Sequence, residues 1–246
     1  MEITEPRAYC LAVEDGEAVS DRPERTVRSL CEHPLLDVTW SRYEAGERGP
    51  DPHVHHEHVD AFYVVEGELQ FRVGPEVAPV KAPAGTFVAV PPNVVHTFDN
   101  ESAGTARWLN FHAPSTGFIA YLRGERSGFD SFDAPSSGGR PAADAMVTTA
   151  NAEGELGLEP QFEAMELTVD SSFDVAPHRH ERQINAFFVL EGEVEFALDG
   201  GYHARRPRLV AGRPAWRAAW SPQRRVETGQ GAVRPRAGAI ALRSSN

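Results

Sequence analysis

Two histidines two residues apart, His53 and His55, open the stretch of this chain with the clearest chemical content. Residues spaced by two share one face of a β-strand, so both imidazoles are expected to point the same way. Asp60 follows, with Phe62 and Val64 at its parity, and a second alternating run carries Val94, His96, Phe98 and Asn100. Two histidines, a carboxylate and a third histidine gathered inside one β-domain make a transition-metal site of nitrogen and oxygen donors. His58 lies at the parity of Asp60 and competes for the carboxylate's place. His56 and Glu57 are expected to sit solvated in a turn. His112, close to Trp108 and Phe111, reads as a pocket wall or structural residue rather than a ligand.

The elements that must position these groups are short strands. Leu36–Tyr43, Ala61–Val65, Leu69–Val73 and Thr86–Val90 are rich in Val, Phe and Tyr and have the length strands prefer. Turn residues separate them, from Gly46 to Pro52, at Glu66-Gly67-Glu68, at Gly74-Pro75 and at Pro91-Pro92-Asn93. Ala106–His112 reads as a closing strand. Helical spacing of Phe118, Ile119 and Leu122 predicts one helix, about Thr116–Arg123. Many short strands at close spacing predict an all-β sandwich or barrel. Residues 130–145, with Ser136-Ser137-Gly138-Gly139 at their centre, read as a linker.

Beyond that segment the pattern returns. Pro52–Phe71 (PHVHHEHVDAFYVVEGELQF) and Pro177–Phe196 (PHRHERQINAFFVLEGEVEF) align without a gap at an offset of 125 residues, with 10 of 20 positions identical. A repeat of that length means two copies of one domain. The expected division is residues 1–129 as an N-terminal barrel with the metal site, 130–145 as linker, and 146–246 as a degenerate C-terminal barrel with an arginine-rich tail.

With these residues in place, the chain resembles the cupin superfamily. The first cupin motif ends His-x-His, three or four residues, Glu, six residues, Gly; His53, His55 and Gly67 match it, and Asp60 takes the glutamate position. The second runs Gly, five residues, Pro-x-Gly, two residues, His, three residues, Asn; Gly85, Pro91, His96 and Asn100 match, with Asn93 replacing the inner glycine. Asn is well suited to a left-handed turn, so that exchange keeps the backbone shape. More narrowly, the chain is similar to two-domain cupins that resemble quercetin dioxygenase. The resemblance implies an all-β fold of two tandem double-stranded β-helix (jelly-roll) barrels. It also implies one divalent transition metal ion (iron, manganese, nickel, copper or zinc) on His53, His55, Asp60 and His96. Cupins commonly pair barrels edge to edge, so a homodimer is a candidate assembly.

The second copy is expected to lack a strong site. His178 and His180 remain, but Asn185 replaces Asp60, Ala211 takes the place of Pro91 and Trp216 that of His96. After His203 the alternation decays into Arg, Pro, Ala and Gly, and Ala237–Leu242 is the one segment past Trp220 able to close a second barrel. An incomplete barrel, a disordered tail or a change of reading frame near residue 204 would each give this pattern.

Composition narrows the partners. The net charge is −12; residues 204–246 carry ten arginines and one acid, so the remainder is strongly negative. An acidic body of that kind repels phosphate backbones and argues against nucleic acid. No apolar run approaches the ~20 residues that span a bilayer, and Met1–Ala8 does not read as a secretory signal. Cys10 and Cys31 are expected to be reduced thiols of a cytoplasmic protein. Three functions remain open: a metal-dependent dioxygenase-type oxidoreductase acting on a small aromatic or enolic molecule, a non-redox metal-dependent isomerase, cyclase or lyase, and a non-catalytic small-molecule-binding module. No Gly-x-Gly-x-x-Gly fingerprint for a nicotinamide or flavin accompanies them.

Overall fold

The computed structural model describes residues 8–74, 79–148, 154–159, 162–170, 172–176, 180, 183–198, 201–205 and 236–245. Its strands, in chain order, begin with β1 (Glu17–Asp21), β2 (Arg25–His33), β3 (Leu36–Tyr43), β4 (His53–Val54), β5 (Val59–Glu66) and β6 (Glu68–Val73). There follow β7 (Pro79–Pro83), β8 (Phe87–Val90), β9 (His96–Asp99) and β10 (Ala106–Ala113). A short helix α1 (Phe118–Leu122) precedes β11 (Phe132–Asp133) and β12 (Met146–Thr148). The second half contributes β13 (Gly154–Glu159), β14 (Phe162–Asp170), β15 (Gln183–Glu191), β16 (Val194–Leu198), β17 (Gly201–Arg205) and β18 (Arg236–Ser245).

The first half is a jelly roll of two sheets. One has the order β1-β2-β3-β10-β5-β8-β12, the other β11-β4-β9-β6-β7. Strand alternation sends one set of side chains between them: Tyr43, Phe62, Val64, Leu69, Phe71, Val88, Val90, Phe98 and Trp108 form one buried cluster. Burying each large apolar side chain contributes roughly 1.5–3 kcal/mol relative to exposure. The opposite parity of the larger sheet is buried too. Val38, Ala61, Tyr63, Phe87, Ala89, Leu109 and Phe111 pack against Phe162, Ala164 and Phe188 of the second half. Tyr63 donates to the Glu166 carboxylate across that contact at 3.2 Å. Burial on both faces explains why β5, Val59–Glu66, reads as a nearly continuous apolar run around Asp60.

The motif residues that do no chemistry shape this frame. Gly67 turns β5 into β6 at φ +76°, and a Cβ there would come within 2.4 Å of the Thr105 carbonyl oxygen, so only glycine fits. Asn93 adopts φ +68°, the left-handed turn its position required. Asn100 is buried and donates to the carbonyls of Tyr43, Glu44 and Gly104 at 3.0, 2.9 and 2.8 Å, tying the end of β3 to the loop before β10. The helix is shorter than its spacing predicts, because Gly117 at φ +88° interrupts the chain just before Phe118.

Residues 130–145, the stretch that reads as a linker, run along the first half as a docked belt. Phe132 and Asp133 pair with Val54 and His53, and Gly139 bridges to Val94. Glycine allows this close approach: at Gly139, φ +69°, a Cβ would lie 2.4 Å from the Asn93 carbonyl oxygen.

In the second half the described strands pair as β13-β14-β18-β15, the order in which β2-β3-β10-β5 stand in the first. The hairpin β16-β17 repeats β6-β7. β18 contains the predicted Ala237–Leu242 and lies between β14 and β15, its Arg236–Ser244 paired with the one and its Gly238–Ser245 with the other. His178, Ala211, Trp216 and most of the arginine-rich stretch lie outside the described residues.

Candidate metal centre

Four elements deliver the candidate ligands to one place. His53 on β4 pairs directly with His96 on β9, and their rings stand 4.4 Å apart. His55 follows β4 in the loop, its ring 4.8 Å from that of His53 and 5.0 Å from that of His96. Asp60 enters from β5 in the facing sheet. One ligand atom from each of His53, His55, Asp60 and His96 lies within 4.8 Å of every other.

Hydrogen bonds set the ring tautomers. His53 Nδ1 lies 2.9 Å from the Asp51 carbonyl oxygen, His55 Nδ1 2.5 Å from that of Asp130, and His96 Nδ1 3.0 Å from that of Val94. A carbonyl only accepts, so each Nδ1 must carry the hydrogen, which leaves each Nε2 as a lone-pair donor. The Nε2 atoms of His55 and His96 stand 3.5 and 3.3 Å from Asp60 Oδ2. His55 Nε2 is buried and has no hydrogen-bond partner.

Electrostatics favour a cation at that point. Burial, reinforced by the neighbouring His96 and His55, pushes the His53 imidazole down to about 3, so it is neutral at ordinary pH. Burial by itself would raise Asp60, but positive charge on His112 and His55 and hydrogen bonds from His55 and His96 would hold its carboxyl well below the usual range. Asn110 also donates to Asp60 Oδ1. With the ring hydrogens on Nδ1, the positive charge facing this carboxylate has to come from a proton on an Nε2 or from a cation between the lone pairs and the carboxylate. The donor set therefore fits a divalent transition ion of borderline softness.

His58 does not join this group. Its Nδ1 is 2.8 Å from Asp130 Oδ2, and with His55 and Asp130 it forms a separate potential donor set. Its ring stacks on His112 at 4.7 Å. His112 stands opposite Asp60 in the β5–β10 register and is fully buried, with Nε2 3.0 Å from Asn110 Oδ1 and 3.5 Å from Asp60 Oδ1. Phe118 stacks on the His112 ring at 4.3 Å, and Phe129 lies 5.9 Å from the His55 ring. His56 and Glu57 are exposed, as a turn requires.

Asn110, Phe129 and Asp130 escaped the sequence reading. Asn110 had a usable signal, since it shares its parity on β10 with Trp108 and His112. Phe129 and Asp130 had none, because they reach the site from more than seventy residues downstream of His55. An open groove of about 420 Å³, lined by Arg48, Arg72, Thr97, Asp99 and Glu101 among others, contains none of the four candidate ligands.

In the second half His180 is exposed, with Gln183 Nε2 2.8 Å from its Nδ1 and Asn185 Nδ2 3.0 Å from its Nε2. Side-chain amides thus occupy the positions equivalent to His58 and Asp60.

Comparison with known proteins agrees with this frame. No curated protein matches the sequence significantly. Protein YlbA from E. coli shares the fold with a TM-score of 0.59 at 13% identity, over 96% of this chain and 90% of that one. The bacterial pirin YhhW from E. coli, solved in complex with nickel(II), gives 0.57 at 11% identity, over 96% and 98%. A cupin 2 conserved barrel domain protein from Leptotrichia buccalis gives 0.54 at 12%, over 99% of both chains. The cupin domain model matches residues 39–112, the stretch that supplies all four candidate ligands.

Proposed function

We propose that this protein is a tandem two-barrel cupin whose N-terminal barrel, residues 1–129, binds one divalent transition metal ion through His53, His55, Asp60 and His96. The proposed reaction is the oxygen-dependent oxidation of a small aromatic or enolic molecule. The observation that carries this reading is the convergence of lone-pair nitrogens, each fixed by a backbone carbonyl, on a buried carboxylate. His53, His55, Asp60 and His96 would hold the ion and leave it accessible to further ligands. A redox-active ion held there would supply the electron chemistry that no side chain of the site can.

The surroundings support the substrate class. Phe118 and Phe129 flank His112 and His55, a setting for a flat ring. The cations nearest the motifs are engaged elsewhere: Arg72 by Asp99 and Glu101, Lys81 by Glu68, and Arg107 by Glu66. A phosphate or a sugar acid would find no unpaired cation among them. The matching strand orders of the two halves support the tandem arrangement, with 130–145 between them and 146–246 as a structural partner barrel. The acidic net charge supports a small-molecule partner rather than nucleic acid. Among the described residues no helix is long and apolar enough to cross a membrane.

A second reading rests on His58. Its Nε2 is buried and without a hydrogen-bond partner, while Asp130 holds its Nδ1. An imidazole so oriented beside a Lewis-acidic ion could move a proton, as an isomerase, cyclase or lyase requires. The two readings separate cleanly. The protein is loaded with iron, nickel, manganese, copper or zinc in turn and offered flavonols, catechols and β-diketones while oxygen is monitored. Oxygen uptake with a redox-active ion is expected. Equal turnover with zinc, or under strict anaerobiosis, would replace the oxygenase reading with the second.

A further inference from the structure

Resting on the metal site just proposed, we infer that Asp130 is a positioning residue for it, the point where the belt after α1 locks the ligand-bearing loop. Both ends of the residue work. Its backbone carbonyl accepts from His55 Nδ1 at 2.5 Å and so holds that ring with Nε2 toward Asp60. Its carboxylate accepts from the backbone N–H of His56 at 3.0 Å, from that of Glu57 at 2.7 Å and from His58 Nδ1 at 2.8 Å. The Asp130 side chain is 7% exposed, so water does not substitute for these bonds. Four donors from four consecutive residues, His55 to His58, therefore converge on one residue 72–75 positions away.

The rest of the belt holds Asp130 in place. Asp133 pairs with His53, Phe132 stacks on His56 at 4.5 Å, and the Arg140 N–H reaches the Asn93 carbonyl at 2.7 Å. The segment thus touches both motif loops, the one with His53 and His55 and the one leading to His96. A loop freed of Asp130 would let the His55 ring turn and take either tautomer. Outer partners of metal-bound imidazoles set affinity by fixing ring and tautomer, with typical losses of ~10–100-fold when removed.

The experiment compares wild type with Asp130→Ala and Asp130→Asn, and with Lys81→Ala, an exposed side chain of β7 outside the belt, as a control. Two readouts are used: the dissociation constant and visible absorption of bound cobalt(II), and the nitrogen-15 tautomer signals of His55 in metal-free protein. Circular dichroism sets a temperature at which all four are folded. The expected result for Asp130→Ala is affinity reduced roughly 10–100-fold, an altered cobalt spectrum and a mixed His55 tautomer. Asp130→Asn, which keeps one side-chain acceptor oxygen, should fall between, and Lys81→Ala should match wild type. If wild type binds cobalt and Asp130→Ala binds it equally well with the same spectrum and tautomer, this inference fails alone. If wild type binds no transition ion, the proposed metal site fails and takes the inference with it.

Discussion

The two halves of this chain start from nearly the same residues and end with different surroundings for them. At Pro52–Phe71 and Pro177–Phe196 half of the positions are identical. In the first half Asp60 is buried, faces His112 across the strand pair and is 3.3–3.5 Å from two histidine Nε2 atoms. In the second, Asn185 is exposed and touches His180, and Arg243 holds the register position that His112 holds in the first. Replacing a carboxylate by an amide removes the charge that offsets a buried cation, and the Asn185 amide nitrogen stands 3.0 Å from His180 Nε2. On the proposed reading a His-x-His pair alone is not a site; the acceptors behind the rings and the anion before them make it one.

The sharpest break of this comparison removes one candidate ligand from the first half and both motif histidines from the second. His96→Ala should abolish stoichiometric metal binding, whereas His178→Ala with His180→Ala should leave one ion per chain. Elemental analysis of protein purified without added metal reads both. Binding to the folded state stabilises it by about 2.7 kcal/mol when free metal exceeds the dissociation constant 100-fold, and this gain in melting should vanish only in His96→Ala. A full equivalent of metal in His96→Ala would overturn the assignment.

A core substitution sharpens the same contrast through packing. Phe62 is 1% exposed and meets Phe71 at 4.9 Å and Phe98 at 5.1 Å, while its counterpart Phe187 is only partly buried. Phe62→Ala should cost about 3–5 kcal/mol in denaturant unfolding, and Phe187→Ala clearly less. Equal costs would mean that the halves are packed alike. Next in size is Asp60→Asn, which copies the second half's own residue. It should weaken metal binding by more than the ~10–100-fold seen for outer partners, while the circular dichroism stays that of wild type. Unchanged affinity would transfer the fourth ligand to His58.

The smallest expected effect is a slope with pH. Asp37 on β3 is buried, accepts from Ser115 Oγ at 2.8 Å and is pushed up to about 7, chiefly by burial. Between its ordinary value and about 7 the folded chain holds a proton that the unfolded chain has released. Folding stability from this group is therefore full at low pH and is lost as pH rises through about 7. In the second half Glu163 takes the matching register position and is exposed. Asp37→Asn should flatten this part of the stability profile, measured by melting from pH 4 to 8; an unaltered slope would place its origin elsewhere.

Much of this was written locally. The alternation of β3, β5 and β10, the turn at Asn93 and the spacing of His53, His55, Asp60 and His96 follow from side-chain parity and backbone conformation, which neighbouring residues decide among themselves. The repeat likewise predicted matching strand orders. Tertiary structure decided what local pattern cannot encode. It buried both faces of β5 by laying Phe162, Ala164 and Phe188 against one of them. It set His58 against Asp130 while Asp60 met the three imidazoles, a choice between two residues of equal parity that depends on what each finds opposite. And it turned the stretch that reads as a linker into the belt that holds His55, because a hydrogen bond across 75 residues leaves no periodicity for a sequence to show.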